Sequence, residues 1–140
     1  MGERGRLERL GVEECMRLVS VGGVGRVGFA LADGPVVLPV NYVIHEGAVV
    51  FRTSFGGAMD DDLRTGAPGV EYKVAFEVDE VDPVGRTGWS VLLRGPVHHV
   101  DAEERERLGV PDVESWAGGE RELFVRITPQ EVTGRRIRRG

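Results

Sequence analysis

Few side chains in this sequence have the types needed for acid–base, nucleophilic or metal chemistry: three histidines, one cysteine and a run of three aspartates. His98 and His99 are adjacent within a predicted strand, so they point to opposite faces and cannot chelate one metal ion well. Cys15 lies on the apolar face of a predicted helix and is interpreted as a buried, inert thiol. Asp60–Asp62 form either a solvated helix face, the favoured interpretation, or a cation site. The sequence therefore predicts no metal site, and the catalytic residues stay unassigned.

Length, charge and cysteine content restrict the class of protein. The 140 residues fit a single domain, 1–140, and the net charge of -5 argues against a general nucleic-acid binder. One cysteine cannot form an internal disulfide, which favours a reducing, cytoplasmic setting. No apolar stretch approaches the roughly 20 residues needed to cross a bilayer. The polar first residues predict neither a signal peptide nor a membrane anchor.

Hydrophobic periodicity predicts mostly strands, joined by connections too short for parallel crossovers. The predicted strands span residues 25–31, 36–44, 48–53, 70–81, 89–100 and 123–127, and 130–137 are assigned as an extension of the last. The predicted helices span 12–19, 56–65 and 102–108, the last capped by Asp101. Pro39 indicates an edge, a bulge or a strand start. Trp116 lies in a predicted loop, 111–120.

Six such strands with short flanking helices predict a mostly-β fold, a closed or nearly closed antiparallel barrel. Closure removes the exposed edges that an open sheet of this size would present. The barrel is expected to occupy about residues 12–137, with an N-terminal tail over 1–10 and a C-terminal tail over 138–140.

Five ordered runs of sequence carry a family resemblance: Pro39–Tyr42, Val50–Ser54, Ala75–Asp79, Arg86–Val91 and Glu131–Arg135. Together they resemble the successive strands of the pyridoxamine 5'-phosphate oxidase-like family of flavin-binding split barrels. The last two runs are similar to an actinobacterial branch of that family. The resemblance implies a six-stranded antiparallel split barrel that pairs into a homodimer, with FMN held at the interface.

The resemblance also implies the cofactor-binding residues. Those assigned to the flavin ring are Pro39, Val40, Asn41 and Tyr42. Those assigned to the ribityl chain and phosphate are Arg52, Thr53 and Ser54, followed by Ala58 and Met59. Trp89 and Ser90 would reach the cofactor from the partner subunit, although Trp89 fits core or interface packing equally well.

These residue types suit the cofactor, with one departure. The guanidinium of Arg52 can donate two parallel hydrogen bonds to a phosphate, and neighbouring hydroxyls can add theirs. Tyr42 and Trp89 could form a flat wall for the ring, and Asn41 could supply an amide. Relatives carry a lysine directed at the phosphate where this chain has Ala58. This loss of a cation, together with the following acidic run, is expected to weaken FMN binding.

Three functions follow from the resemblance. The first is a flavin-dependent oxidoreductase that transfers two electrons between FMN and a small-molecule redox substrate. The second is a reductase that uses a deazaflavin. The third is a split barrel without a cofactor that acts as a binding or interaction module, which the Ala58 departure favours. No nucleic-acid or membrane partner is expected.

Overall fold

The computed structural model describes residues 4–66, 69–110, 113, 115–116 and 122–139. Within them the chain forms eight strands and three helices. The strands are β1 (Arg6–Leu10), β2 (Gly23–Leu31), β3 (Gly34–His45), β4 (Ala48–Thr53), β5 (Tyr72–Asp82), β6 (Thr87–His99), β7 (Leu123–Ile127) and β8 (Glu131–Arg138). The helices are α1 (Val12–Val19), α2 (Gly57–Thr65) and α3 (Ala102–Leu108). Part of the predicted loop 111–120 lies outside the described residues.

Strands β2 to β7 close into a six-stranded antiparallel barrel. The sheet order is β1-β8-β6-β5-β2-β3-β4-β7, and an additional pairing between β6 and β7 joins the ends of the six-stranded segment. Alternate residues of each strand point inward, as Val74, Phe76 and Val78 of β5 do. The predicted fold class is therefore confirmed.

The barrel splits along β6, which has two different partners on one edge. Its first half pairs with β8, over Gly88–Arg94, and its last residues, Val97–His99, pair with β7. The chain crosses from β7 to β8 over Gly95, and a Cβ at that position would collide with the carbonyl oxygen of Thr128. Glycine at this position thus allows one strand to be shared by two neighbours.

We expect Gly95→Ala to destabilise the protein by about 1–3 kcal/mol, because the added methyl group meets backbone that cannot move aside cheaply. The matched control is Gly28→Ala in β2, where the nearest atom would lie 3.8 Å from the new Cβ, an ordinary contact. Urea unfolding of both variants measures the difference. Equal losses of stability in the two variants would contradict this account of the split.

The prediction of an N-terminal tail over residues 1–10 is wrong for residues 6–10. Arg6–Leu10 form strand β1, which pairs with β8. Residues 131–138 form the separate strand β8, which continues the direction of β7 beside β6. The expected C-terminal tail also begins one residue too early. Both added strands are largely exposed, as Leu7 illustrates with 62% exposure. Strand β1 lacks the buried face on which a periodicity signal depends.

The main core fills the barrel and extends under α1. Phe51, Phe76 and Leu93 are fully buried at its centre. Helix α1 buries Cys15 and Val19 against it, as predicted, and that burial raises the pKa of the Cys15 thiol. None of the described helices is long and apolar enough to cross a membrane.

Candidate functional site: a cleft beside the third strand

A cleft of about 480 Å³ opens beside β3, where this strand has a partner on one flank only. Strand β3 pairs with β2 along Gly34–Tyr42, whereas its pairing with β4 begins only at Tyr42. Pro39 lies in the segment that β4 does not cover, and an edge of this kind is where a strand tolerates a residue without an N–H. Of the three alternatives that Pro39 indicated, the structure shows an edge on one flank of the strand, and this edge forms one wall of the cleft.

The cleft is mostly apolar and brings together residues distant in sequence. Its lining residues are Val24, Leu38, Pro39, Val40, Asn41, Arg52, Thr53, Ser115, Trp116 and Glu122. Trp116 is 73% exposed, and its backbone N–H donates to Asn41 Oδ1 at 3.1 Å. This bond attaches residues 115–116 to β3, so the indole stands at the cleft with no packing role in the core.

Arg52 and Glu122 form an ion pair at the polar end of the cleft. Arg52 Nη2 lies 3.7 Å from Glu122 Oε1, and Arg52 Nη1 donates to the Val113 carbonyl at 3.3 Å. The Glu122 side chain is only 12% exposed, whereas that of Arg52 is 32% exposed. Ser115 Oγ donates to Glu122 Oε2 at 3.0 Å, while Oε1 is buried and accepts no hydrogen bond from the described residues. The polar end of the cleft therefore carries an ion pair without net charge, in which one carboxylate oxygen is buried without a hydrogen bond from the described residues.

Asp60 folds back onto the segment that precedes α2. Its carboxylate accepts hydrogen bonds from Ser54 Oγ at 2.7 Å, from the Phe55 N–H at 2.8 Å and from the Gly56 N–H at 3.0 Å. Asp62, two residues later, accepts from the Tyr72 hydroxyl. The predicted solvated acidic face therefore describes Asp61 alone, which is exposed.

Two predicted contact residues are core residues, which corrects their assignment. The Tyr42 ring is 2% exposed, packs edge-on against Phe76 and donates its hydroxyl to the Val19 carbonyl at 2.8 Å. Its burial raises the pKa of the phenol to about 12. Met59 is 3% exposed in the same core. Strand alternation sends Asn41 and Tyr42 to opposite faces, so Tyr42 cannot be a wall for a ligand in the cleft.

The remaining predicted residues fall into three groups. Five of them line the cleft: Pro39, Val40, Asn41, Arg52 and Thr53. Ser54 and Ala58 are exposed near the start of α2 and do not line it. Trp89 lies in another cleft, of about 490 Å³, beside Arg136 and Arg138. Ser90 follows it on β6, opposite Asp79. A single chain thus does not bring Trp89 to the first cleft, and its contribution from a partner stays a prediction.

Sequence reasoning missed the far wall of the cleft, which Val24, Leu38, Ser115, Trp116 and Glu122 supply. The available signal was Trp116, a tryptophan in a loop without any apolar periodicity to explain it. As predicted for the histidines, His98 is exposed and His99 is partly buried. The described part of the chain holds no group of three or more side chains that could bind a metal ion.

Glu77 and Asp79 on β5 form an acidic pair outside the cleft, with Arg26 between them at 3.8 and 3.7 Å. Burial of Glu77 raises its pKa to about 7, and Asp79 adds to the shift because it accepts a hydrogen bond from the protonated carboxyl and repels the charged form. Arg26 opposes the shift without reversing it.

The raised pKa predicts a loss of stability as pH rises from about 4.5 to above 7, since the folded protein keeps a proton that the unfolded chain releases. Glu77→Gln, which is neutral throughout this range, is expected to flatten that dependence. Urea midpoints at pH 5 and pH 8 measure it, with Glu80→Gln at an exposed position of the same strand as the control. Identical pH slopes for wild type and Glu77→Gln would show the prediction to be wrong.

Comparison with known proteins agrees with the resemblance of the sequence. The family described as Pyridoxamine 5'-phosphate oxidase matches residues 11–136. An uncharacterized protein of Mycobacterium tuberculosis is 36% identical over 125 residues, which cover 89% of this chain and 82% of that protein.

Solved structures from actinobacteria share the fold. A candidate pyridoxamine 5'-phosphate oxidase of Corynebacterium glutamicum is 27% identical, with a TM-score of 0.73 over 95% of this chain and 99% of that chain. An FAD-binding protein of Mycobacterium smegmatis is 28% identical, with a TM-score of 0.65 over 93% of this chain and 97% of that chain. Because the family match extends over nearly the whole barrel, this chain belongs to the pyridoxamine 5'-phosphate oxidase family.

Proposed function

We propose that this protein binds the ring system of a flavin nucleotide in the cleft beside β3 and uses it for redox chemistry on a small molecule. The observation that carries the proposal is the cleft itself: about 480 Å³, mostly apolar, with a tryptophan wall and a few polar groups at one end. Ligand pockets have this size and character. The relative from Mycobacterium smegmatis, described as FAD-binding, supports a flavin.

The cleft fits the ring of a flavin better than it fits a phosphate. Val24, Pro39 and Trp116 offer apolar surface to a flat ring. At the polar end, an N–H of Arg52 that Val113 and Glu122 leave unused can donate to a ring carbonyl while the ion pair stays in place. A bound flavin supplies hydride transfer, and the protein's part is to bind and orient it and to exclude water.

The substrate site in this proposal is completed by a second copy of the chain. The partner's Trp89 and Ser90 would cover the exposed face of the ring, which one chain leaves open. A homodimer that performs this role should bury a large, apolar interface. Sedimentation at micromolar concentration checks it, and a monomer would remove this part of the proposal.

The visible spectrum of the purified protein tests the cofactor, followed by titration with FMN, FAD and a deazaflavin. Saturable binding of FMN or FAD with a shifted flavin spectrum supports the proposal. Binding of the deazaflavin alone would replace it with the deazaflavin-dependent reductase. Absence of binding by all three would leave the cofactor-free module, which the carboxylate of Asp60 at the predicted phosphate donors favours.

A further inference from the structure

We infer that the chain's own carboxylates occupy Arg52 and Ser54, two of the three side chains predicted to hold the ribityl chain and phosphate, so that a flavin is recognised by its ring and not by its phosphate. The inference rests on the proposed function and states which part of a flavin nucleotide the site recognises. It concerns two places, the segment before α2 and the side chain of Arg52.

The first place is the segment Ser54–Gly56, three of whose donors bond to one carboxylate. A hydroxyl and two backbone N–H groups converge on Asp60 at 2.7, 2.8 and 3.0 Å. Such a convergence of donors is what an anionic phosphate oxygen requires. Here the anion is covalently part of the chain, so its effective concentration greatly exceeds that of any free ligand.

The second place is Arg52, the cation predicted to anchor the phosphate. One of its terminal nitrogens donates to the Val113 carbonyl, and the other lies beside Glu122 Oε1. The Glu122 side chain is only 12% exposed, so withdrawing Arg52 toward a phosphate would leave the buried Oε1 without its cation, with only the Ser115 hydrogen bond to Oε2 remaining. The pair as a whole carries no net charge to attract a dianion.

No replacement cation stands at the start of α2. Ala58 occupies the position where the resemblance implies a lysine, and Asp61 in the same turn is exposed. A phosphate that approached this segment would have to displace Asp60 and then lie beside the acidic run. The arrangement therefore excludes phosphate while leaving the apolar cleft open.

Titration with riboflavin and FMN, which differ only in the phosphate, tests the inference on the wild-type protein. We expect their dissociation constants to agree within about threefold, whereas a phosphate held by several charge-assisted hydrogen bonds would favour FMN by about a hundredfold or more. A strong preference for FMN would overturn the inference and leave the proposed function intact.

Asp60→Ala should create a preference that the wild type lacks, because it frees the hydroxyl and both N–H groups. We expect FMN to gain about tenfold over riboflavin in this variant. Asp61→Ala is the matched control. It removes the same charge from the neighbouring residue, whose side chain makes none of these three hydrogen bonds. An equal gain in both variants would mean that general charge matters and not the occupied donors, which would overturn the inference.

A measurement without flavin separates a failure of this inference from a failure of the proposed flavin binding. Addition of inorganic phosphate should leave the amide NMR signals of Phe55 and Gly56 unchanged in the wild type and should shift them in Asp60→Ala. Shifts in the wild type would overturn the inference. If neither flavin binds, the proposed function fails and these amide signals still decide whether Asp60 excludes phosphate. Should Asp60→Ala not fold, Asp60→Asn removes the charge with little change of shape and is expected to give smaller shifts in the same direction.

Discussion

Replacing Trp116 by alanine is expected to weaken flavin binding by about tenfold to a hundredfold, because stacking of a flat heterocycle on an aromatic side chain is typically worth about 1–3 kcal/mol. The indole is 73% exposed in the free chain and lines the cleft, so a ring bound there would cover it. The same exposure means that folding gains little from the indole. We therefore expect the free energy of unfolding to change by less than about 0.5 kcal/mol.

Flavin fluorescence titration and urea unfolding of the same samples separate these two effects. Trp116→Phe is the control, since it keeps an aromatic face and should retain most of the affinity. The backbone N–H of residue 116 still bonds to Asn41 in either variant, so the segment stays in place. Wild-type affinity in Trp116→Ala would mean that the ring binds elsewhere, which would exclude the cleft as the flavin site.

Replacing Arg52 by alanine is expected to destabilise the fold by about 3 kcal/mol, the lower end of the cost of breaking a buried ion pair. The reason is the asymmetry of burial. The Glu122 side chain is 12% exposed and loses its cation once the guanidinium is gone, retaining only the Ser115 hydrogen bond, whereas Arg52 at 32% exposure still reaches water. Glu122→Gln should accordingly cost less than Arg52→Ala, and the double variant should recover much of the loss.

An exposed pair elsewhere in the barrel is the control for this prediction. Arg94 Nη2 lies 2.7 Å from Glu131 Oε1, closer than the Arg52 pair, but these side chains are 55% and 54% exposed. Arg94→Ala should therefore cost no more than about 1 kcal/mol. Urea denaturation of the single and double variants measures all of these values. A larger loss for Arg94→Ala than for Arg52→Ala would show that distance, not burial, sets the energy.

The strands of the barrel could be predicted because their signal is local. In β5, alternation of Val74, Phe76 and Val78 with polar neighbours is sufficient to define both the strand and its buried face. Strand β1 gives no such signal, because its side chains are exposed and its partner β8 lies at the other end of the chain. The pairing of such strands depends on backbone hydrogen bonds that a hydrophobic pattern does not record.

In the candidate site, too, some residues could be predicted from the sequence and others could not. The family resemblance identified Arg52 and Asn41, and both line the cleft. It also assigned Tyr42, which alternation sends into the core, and it left out Glu122, whose contact with Arg52 spans 70 positions of sequence. The role of Asp60 was missed although its partners are only four to six residues away. An aspartate in the first turn of a helix can face solvent or turn back onto the preceding segment, and composition does not distinguish the two.

By itself, the sequence determined the class of fold and the family, because both depend on residue type and spacing along the chain, and it left three alternatives at Pro39, of which the structure shows the edge. Only the tertiary structure decided what the cleft contains. Trp116, Glu122 and Arg52 come together there because the barrel closes and because the backbone of Trp116 is hydrogen-bonded to Asn41 of β3. Whether a donor is available to a ligand depends on which acceptor the folded chain brings within hydrogen-bond distance, as Asp60 does for Ser54 and its neighbours. That proximity is a property of the packed molecule and not of any residue's type.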